Sequence, residues 1–263
     1  MYSDGLRTPA QAISEATAGG VRVLSLTDHD TVEGIDEALE AAEGTDVEFV
    51  PGTELSAHMA SREVHLLAYF IDWRSESLTR FLSSMRQHRR DRSDAIVARL
   101  NDLGVGVTVD DVLHQAGEGV IGRPHVAAAL VERGAVASKE EAFDRYIGDR
   151  GPAAVPKPRT PAESVIALVH ELGGVAVIAH PGASFLDSEV RELVSCGLDG
   201  IEVYHPSHQP AQIQHYTNLA EHLGVLPSGG SDSHGEADGS RIGDCGIGCE
   251  AVEALRERAA GRG

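Results

Sequence analysis

The sequence predicts an α/β fold with a mainly parallel sheet, interrupted by one helical segment. Three observations predict it. Short apolar runs alternate with stretches of helical period, joined by brief Gly- or Pro-marked turns, on both sides of the middle of the chain. The middle, from about Leu78 to Pro158, is almost wholly of helical period. The carboxyl ends of the apolar runs carry His, Asp and Glu, and parallel α/β folds gather their functional groups at those ends.

In order, "TPAQAISEATAGG" reads as a helix with Thr8 as N-cap, Pro9 in the first turn and Gly19-Gly20 as the stop. "VRVLSLTD" is a strand, "TVEGIDEALEAAEG" a second helix, "VEFVPGTE" a second strand and "EVHLLAYFI" a third. After the middle, "PAESVIALVHELGG" leads into "VAVIAHPG", "DSEVRELVSCG" into "LDGIEVYHP", and "PAQIQHYTNLAEHLG" into "VLPSGGSDSH"; the helix "VEALRERAA" closes the chain. Between them lie four helical stretches: "LTRFLSSMRQHRRDRSDAIVARLNDLG", "TVDDVLHQAG", "RPHVAAALVERG" and "KEEAFDRYIG". The Pro-rich "GPAAVPKPRTP" restores the strand–helix pattern. The expected organisation is residues 1–77 as the first part of an α/β domain, 78–158 as a helical insertion and 159–263 as its second part.

With 263 residues the chain supports a core without staples. Its 3 cysteines are odd in number and follow no apolar signal region, so a reducing cytoplasm is expected; Cys245-x3-Cys249 lacks a second pair and reads as ordinary thiols. No apolar run is long enough to span a membrane. A formal charge of −19 disfavours coating of extended duplex nucleic acid, but a small anionic substrate is compatible where divalent cations reverse the local sign.

Asp28 and His29 follow "VLSLT", Glu54 follows "EFVPGT", His180 ends "VAVIA", His205 ends "IEVY", and Asp232 and His234 follow "VLPSGG". In a parallel arrangement these ends converge on one mouth. His65 lies near the start of its strand and reaches that mouth only through an antiparallel or irregular segment. A single His after a strand is more often structural, and Asp28 or Asp232 alone suits a helix cap. Five such ends in one chain point instead to metal binding, and imidazoles with carboxylates suit Zn, Mn or Fe. His88, His114, His170, His215 and His222 fall in helical patterns and read as surface or packing residues; His58 and His208 read as loop residues. "GGSDSHG" is not a nucleophile elbow, and no P-loop or GxGxxG fingerprint is present.

In order, "YSDG", "LTDHDT", "GTELS", "HLLAY", "AHPG" and "SDSHG" resemble the PHP (polymerase and histidinol phosphatase) family, most closely its TrpH-like phosphoesterase branch. The resemblance covers essentially the whole chain, including "GRPHVA". It implies a distorted (β/α)7 barrel and up to three divalent ions. Glu54, His65 and His180 would hold one ion, and Glu54 and Asp232 a second. Asp4, His29 and His234 would hold the third. The family's H-x-H motif, which ends its first strand, is absent because the sequence starts at Met1, so the expectation is a barrel with its first strand truncated and a gene product that begins further upstream.

The implied chemistry is phosphate-ester hydrolysis by a metal-activated water, with Asp232, His234 and His29 as the catalytic candidates. Arg123 opens a predicted helix whose free N–H groups favour an anion; with His125, Lys157 and His205 it is expected to hold substrate phosphate. The opposing reading makes Arg123 and Lys157 structural ion pairs. "RQHRRDRSDAIVAR" suggests a guide for a nucleic-acid tail, but Asp91 and Asp94 interrupt it and favour a solvated helix face. The expected substrates are nucleoside 3′,5′-bisphosphates or the 5′ ends of short RNA or DNA. The alternatives are a histidinol-phosphate-type phosphatase and a non-catalytic phosphate- or nucleotide-binding protein.

Overall fold

The computed structural model describes residues 5–60, 62–117, 121–183, 185–235 and 240–262. The chain forms two compact units, one from Met1–Thr79 with Arg159–Gly263 and the other from Arg80–Pro158.

The first unit opens with α1 (Pro9–Ala18), and its start is written in its residues. Gln11 N donates to Thr8 Oγ1 at 3.2 Å and Thr8 N donates to Gln11 Oε1 at 2.9 Å, a reciprocal cap followed by Pro9. From α1, Ile13 and Ala16 pack with Ile35 and Ala38 of α2 (Ile35–Ala42) over Val47 and Phe49.

Two sheets follow. β1 (Val23–Leu24) runs parallel to β2 (Glu48–Phe49). The second sheet takes the order β3 (Gly52–Met59), β4 (Arg62–Tyr69), β5 (Val175–Ile178), β6 (Gly200–Tyr204), β7 (Leu226–Gly229). The expected single strand "VEFVPGTE" is therefore broken, and Pro51, which has no N–H for the ladder, marks the break. Backbone bonding to the β1 segment continues across it: Val50 N donates to Leu24 O at 2.8 Å and Glu54 N to Asp28 O at 3.2 Å.

The expectation of a parallel sheet is corrected at β4, which is antiparallel to both β3 and β5, whereas β5–β6 and β6–β7 are parallel. The chain turns back near Ala60, which sits at φ 52, directly from β3 into β4. That reversal brings the start of β4 beside the carboxyl end of β5, where Ala179 N donates to His65 O at 3.0 Å.

Among the described residues β1 and β7 do not pair, so the expected (β/α)7 barrel is not closed. Both edges line one cavity of about 650 Å³, with Leu67 and Leu255 on its apolar wall. Helices α7 (Ala162–Glu171), α8 (Asp187–Ser195), α9 (Pro210–Leu223) and α10 (Cys249–Ala260) complete the unit. Leu255 and Ala259 of α10 pack on Leu67, Val175 and Val177. Asp199, just before β6, is buried and accepts from Ala176 N and His170 Nε2, both at 2.9 Å, and from Arg262.

The second unit holds most of α3 (Glu76–Asp102) with α4 (Val109–Ala116), α5 (Arg123–Glu132) and α6 (Lys139–Ala142), the last continued by a π-helical turn over Phe143–Ile147. Ile96, Leu100, Val112, Val126, Leu130 and Ile147 form its own core. Among the described residues no helix is long and apolar enough to cross a membrane.

Candidate metal centre

Glu54 is the centre of the site. It lies on β3, only 4% exposed. Its Oε1 is 2.8 Å from His65 Nδ1 and 3.2 Å from His180 Nε2, and its Oε2 is 3.7 Å from His29 Nδ1. Glu54, His65 and His180, expected at one ion, and His29, expected at another, are thus brought together from β3, β4, the end of β5 and the segment after β1.

Each side chain is aimed by a local device. His29 is fixed because its neighbours are tied to β3: Asp28 O accepts from Thr53 Oγ1 at 3.0 Å, and Asp30 N donates to Glu54 O at 2.8 Å. Asp30 is buried at φ 51, and its carboxylate accepts from Ser56 N at 2.8 Å and Ser56 Oγ at 2.9 Å. His180 stands at φ 28, with its N–H donating to Glu202 Oε2 at 2.7 Å. The imidazoles then form a row: ring centroids of His29 and His65 are 4.9 Å apart, His65 and His180 5.4 Å, and His180 and His205 5.6 Å.

At the far end of the row, His205 Nε2 lies 3.2 Å from Asp232 Oδ2 and its Nδ1 lies 2.8 Å from Ser207 Oγ. Asp232 is held at φ 46, and His234 Nδ1 donates to its carbonyl at 2.9 Å. Asp232, His234, His29, Glu54 and His180 all line the cavity. Asp4 lies outside the described residues.

The electrostatics follow from burial against charge. Burial pushes the Glu54 carboxyl up, but hydrogen bonds from His180 and His65 and the charges of His29 and His65 outweigh it and hold it down at about 2. Burial pushes His65 down, yet Glu54 and Glu63 raise it to about 9. The hydrogen bond to Glu54 raises His180, and that from His205 lowers Asp232. Sequence reasoning missed Glu202, whose carboxyl burial raises to about 7. Its signal was a carboxylate inside the apolar run "GIEVY". His208, read as a loop residue without a role, is also buried beside His205, with centroids 5.5 Å apart.

These residues fit a divalent ion. Ligand atoms of His29, Glu54 and His65 all lie within 4.8 Å of one another. His65 Nδ1 is buried 2.8 Å from Glu54 Oε1, so an imidazole nitrogen and a carboxylate oxygen face one another away from solvent. A mixed imidazole–carboxylate set without thiolates suits Zn, Mn or Fe.

The remaining candidates lie in the second unit. Arg123 opens α5, where its guanidinium pairs with Asp149 at 2.6 Å and covers the Phe143 ring at 5.6 Å. His125 turns inward to cap its own helix, its Nδ1 accepting from Gly122 N at 3.0 Å. Arg123 and Lys157 share a hollow of about 30 Å³ with His88, Arg89 and Arg92. The last three come from the basic run that was read as a solvated face.

Carboxylates and imidazoles collected at the strand ends of an α/β sheet define the site as that of a metal-dependent hydrolase. No family model matches the chain. It is 33% identical over 237 residues to a 5′-3′ exoribonuclease of Haemophilus influenzae, covering 88% of this chain and 86% of that one. It is 31% identical over 245 residues to a 3′,5′-nucleoside bisphosphate phosphatase of Chromobacterium violaceum, covering 91% and 86%. A solved structure from Bifidobacterium adolescentis, assigned as a metal-dependent phosphoesterase, superposes with a TM-score of 0.80 at 32% identity, covering 99% of this chain and 93% of that one. The chain belongs to the PHP family of metal-dependent phosphoesterases, in its TrpH-like branch.

Proposed function

We propose that this phosphoesterase hydrolyses phosphate esters of nucleotides, either nucleoside 3′,5′-bisphosphates or the 5′ ends of short RNA or DNA. The observation that carries the reading is Glu54 set among His29, His65 and His180 at one end of the sheet. Glu54, His65 and His180 would hold one divalent ion, with His29, Asp232 and His234 as the further ligands. Ions bound there supply Lewis acidity toward the phosphoryl oxygens and an activated water.

The chain's own residues do the rest. Glu54 stays ionised across the physiological range and so is always available as a ligand. Asp232 and His205, hydrogen-bonded to each other, offer a carboxylate and an imidazole for proton movement. In the second unit Arg123 and Lys157 share a hollow with Arg89 and Arg92, a donor set suited to an anionic group. The names of the two relatives point to the same substrate class.

The test is phosphate or mononucleotide release by the purified chain with Mn²⁺ or Zn²⁺. The substrates are a nucleoside 3′,5′-bisphosphate, a 5′-phosphorylated oligonucleotide and histidinol phosphate. Turnover of the nucleotides that is abolished by chelator and by Glu54→Gln is expected. A preference for histidinol phosphate, or binding of nucleotide without turnover at full metal occupancy, would overturn the reading.

A further inference from the structure

His180 sits in a turn that its own backbone does not favour. Its φ of 28 is in the left-handed region that side chains avoid, and Gly182 two residues on has φ 58. Such a conformation persists only when the surroundings fix it.

Three side chains do so, those of Glu202, His208 and Tyr216. Glu202 Oε2 takes the His180 N–H. His208 Nε2 accepts from Gly182 N at 3.1 Å, and the Tyr216 hydroxyl donates to Gly182 O at 2.6 Å. Both polar groups of Gly182 are therefore held by residues that follow β6. His208 is itself specified: its Nδ1 lies 2.9 Å from Val203 O, which only accepts, so Nδ1 carries the proton and Nε2 keeps the lone pair that Gly182 N–H needs. The ring is buried between His205 and Tyr216, with centroid distances of 5.5 and 5.6 Å.

We propose that His208 and Tyr216 are positioning residues for the phosphoesterase site, clamping the turn after β5 so that His180 presents its imidazole beside Glu54. Their polar atoms are taken up by the backbone of Gly182 and Val203, so they act through the turn that carries His180. The inference rests on the reading of His180 as a metal ligand.

The test titrates Co²⁺ into chelator-treated protein and follows the d–d absorption bands, alongside kcat and KM on a nucleoside 3′,5′-bisphosphate. Outer partners that orient ligands typically change metal affinity ~10- to 100-fold. Tyr216→Phe and His208→Ala are expected to weaken Co²⁺ binding about 10-fold or more, shift the bands and, at saturating metal, lower kcat with KM within about twofold. His208→Gln, which restores an acceptor, should recover part of the loss. Tyr216→Phe keeps the packed ring and guards against a His208→Ala variant that does not fold. Wild-type Co²⁺ affinity and an unchanged spectrum in folded Tyr216→Phe and His208→Ala would overturn the inference. His180→Ala separates the two levels: if it binds Co²⁺ like the wild type, the ligand reading fails; if only His180→Ala is impaired, the clamp alone fails.

Discussion

Raising the pH of the metal-free protein from 6.5 to 9 is expected to weaken its folding by about 3 kcal/mol through one residue, His65. Burial works against a charged imidazole there, but hydrogen bonds and charge from Glu54 and Glu63 prevail and raise its pKa from 6.5 to about 9. The folded chain thus holds this proton more tightly than the unfolded chain. Below pH 6.5 both states are protonated and the full stabilisation is present. Between 6.5 and about 9 the unfolded chain sheds the proton while the folded chain keeps it, so the advantage drains away; above about 9 it is gone. At about 1.4 kcal/mol per pH unit, that interval gives about 3 kcal/mol. The assay is urea denaturation in chelator at several pH values, with His65→Gln as the reference that subtracts every other titration. The wild-type minus variant difference should fall steadily across this window. With saturating Zn²⁺ or Mn²⁺ the dependence should reverse, because ligands bind metal deprotonated. A difference that does not change with pH would refute the argument. Glu54 supplies the acid-side counterpart: held at about 2, it stabilises above 4.5 and that contribution is lost as pH falls toward 2.

Asp199→Asn should lower the thermal midpoint without changing metal affinity, because the buried carboxylate gathers His170, Ala176 N and the guanidinium of Arg262 at the opposite end of β6 from His205. A cost of about 3 kcal/mol is expected, the low end for a broken buried pair, since the arginine is partly solvated; calorimetry of the chelated protein reads it. Arg123→Ala should raise KM for a nucleoside 3′,5′-bisphosphate about 10-fold with kcat little changed, the signature of a lost phosphate contact. Unchanged steady-state kinetics would leave the Asp149 ion pair as the whole of its role.

Strand and helix positions were legible because their signals are local. Thr8, Pro9 and Gly19-Gly20 mark α1 whatever surrounds them. Strand direction is not local. "REVHLLAY" reads the same whichever way it runs, and the turn into it carries Ala60 at φ 52 where a Gly or Asn would have announced a hairpin. The ligand-type residues were legible as a recurring pattern at strand ends, but the residues that aim them were not. Glu202 looks like an outward-facing strand residue until the cavity beside β7 places it inside, and His208 gains its role from Val203 O and Gly182 N, contacts that spacing alone does not reveal.

The imidazole row also explains why this site arises from an ordinary sheet. Neighbouring strands lie roughly 4.8 Å apart, and the centroid separations of 5.4 and 5.6 Å along His65, His180 and His205 follow that pitch across β4, β5 and β6, with His29 reaching the row over β3. The antiparallel β4 is what keeps the row continuous: run the other way, it would carry His65 toward the opposite edge and leave a gap between His29 and His180. Glu54 lies within reach of three members of the row because β3 lies between the β1 segment and β4. The chain as a whole carries a net charge of −19, which repels phosphate at long range. Divalent ions held by the row would reverse that sign where the phosphoryl group is to sit. Metal dependence should therefore appear in substrate affinity as well as in turnover, and an acidic protein acting on an anionic substrate is consistent with its charge.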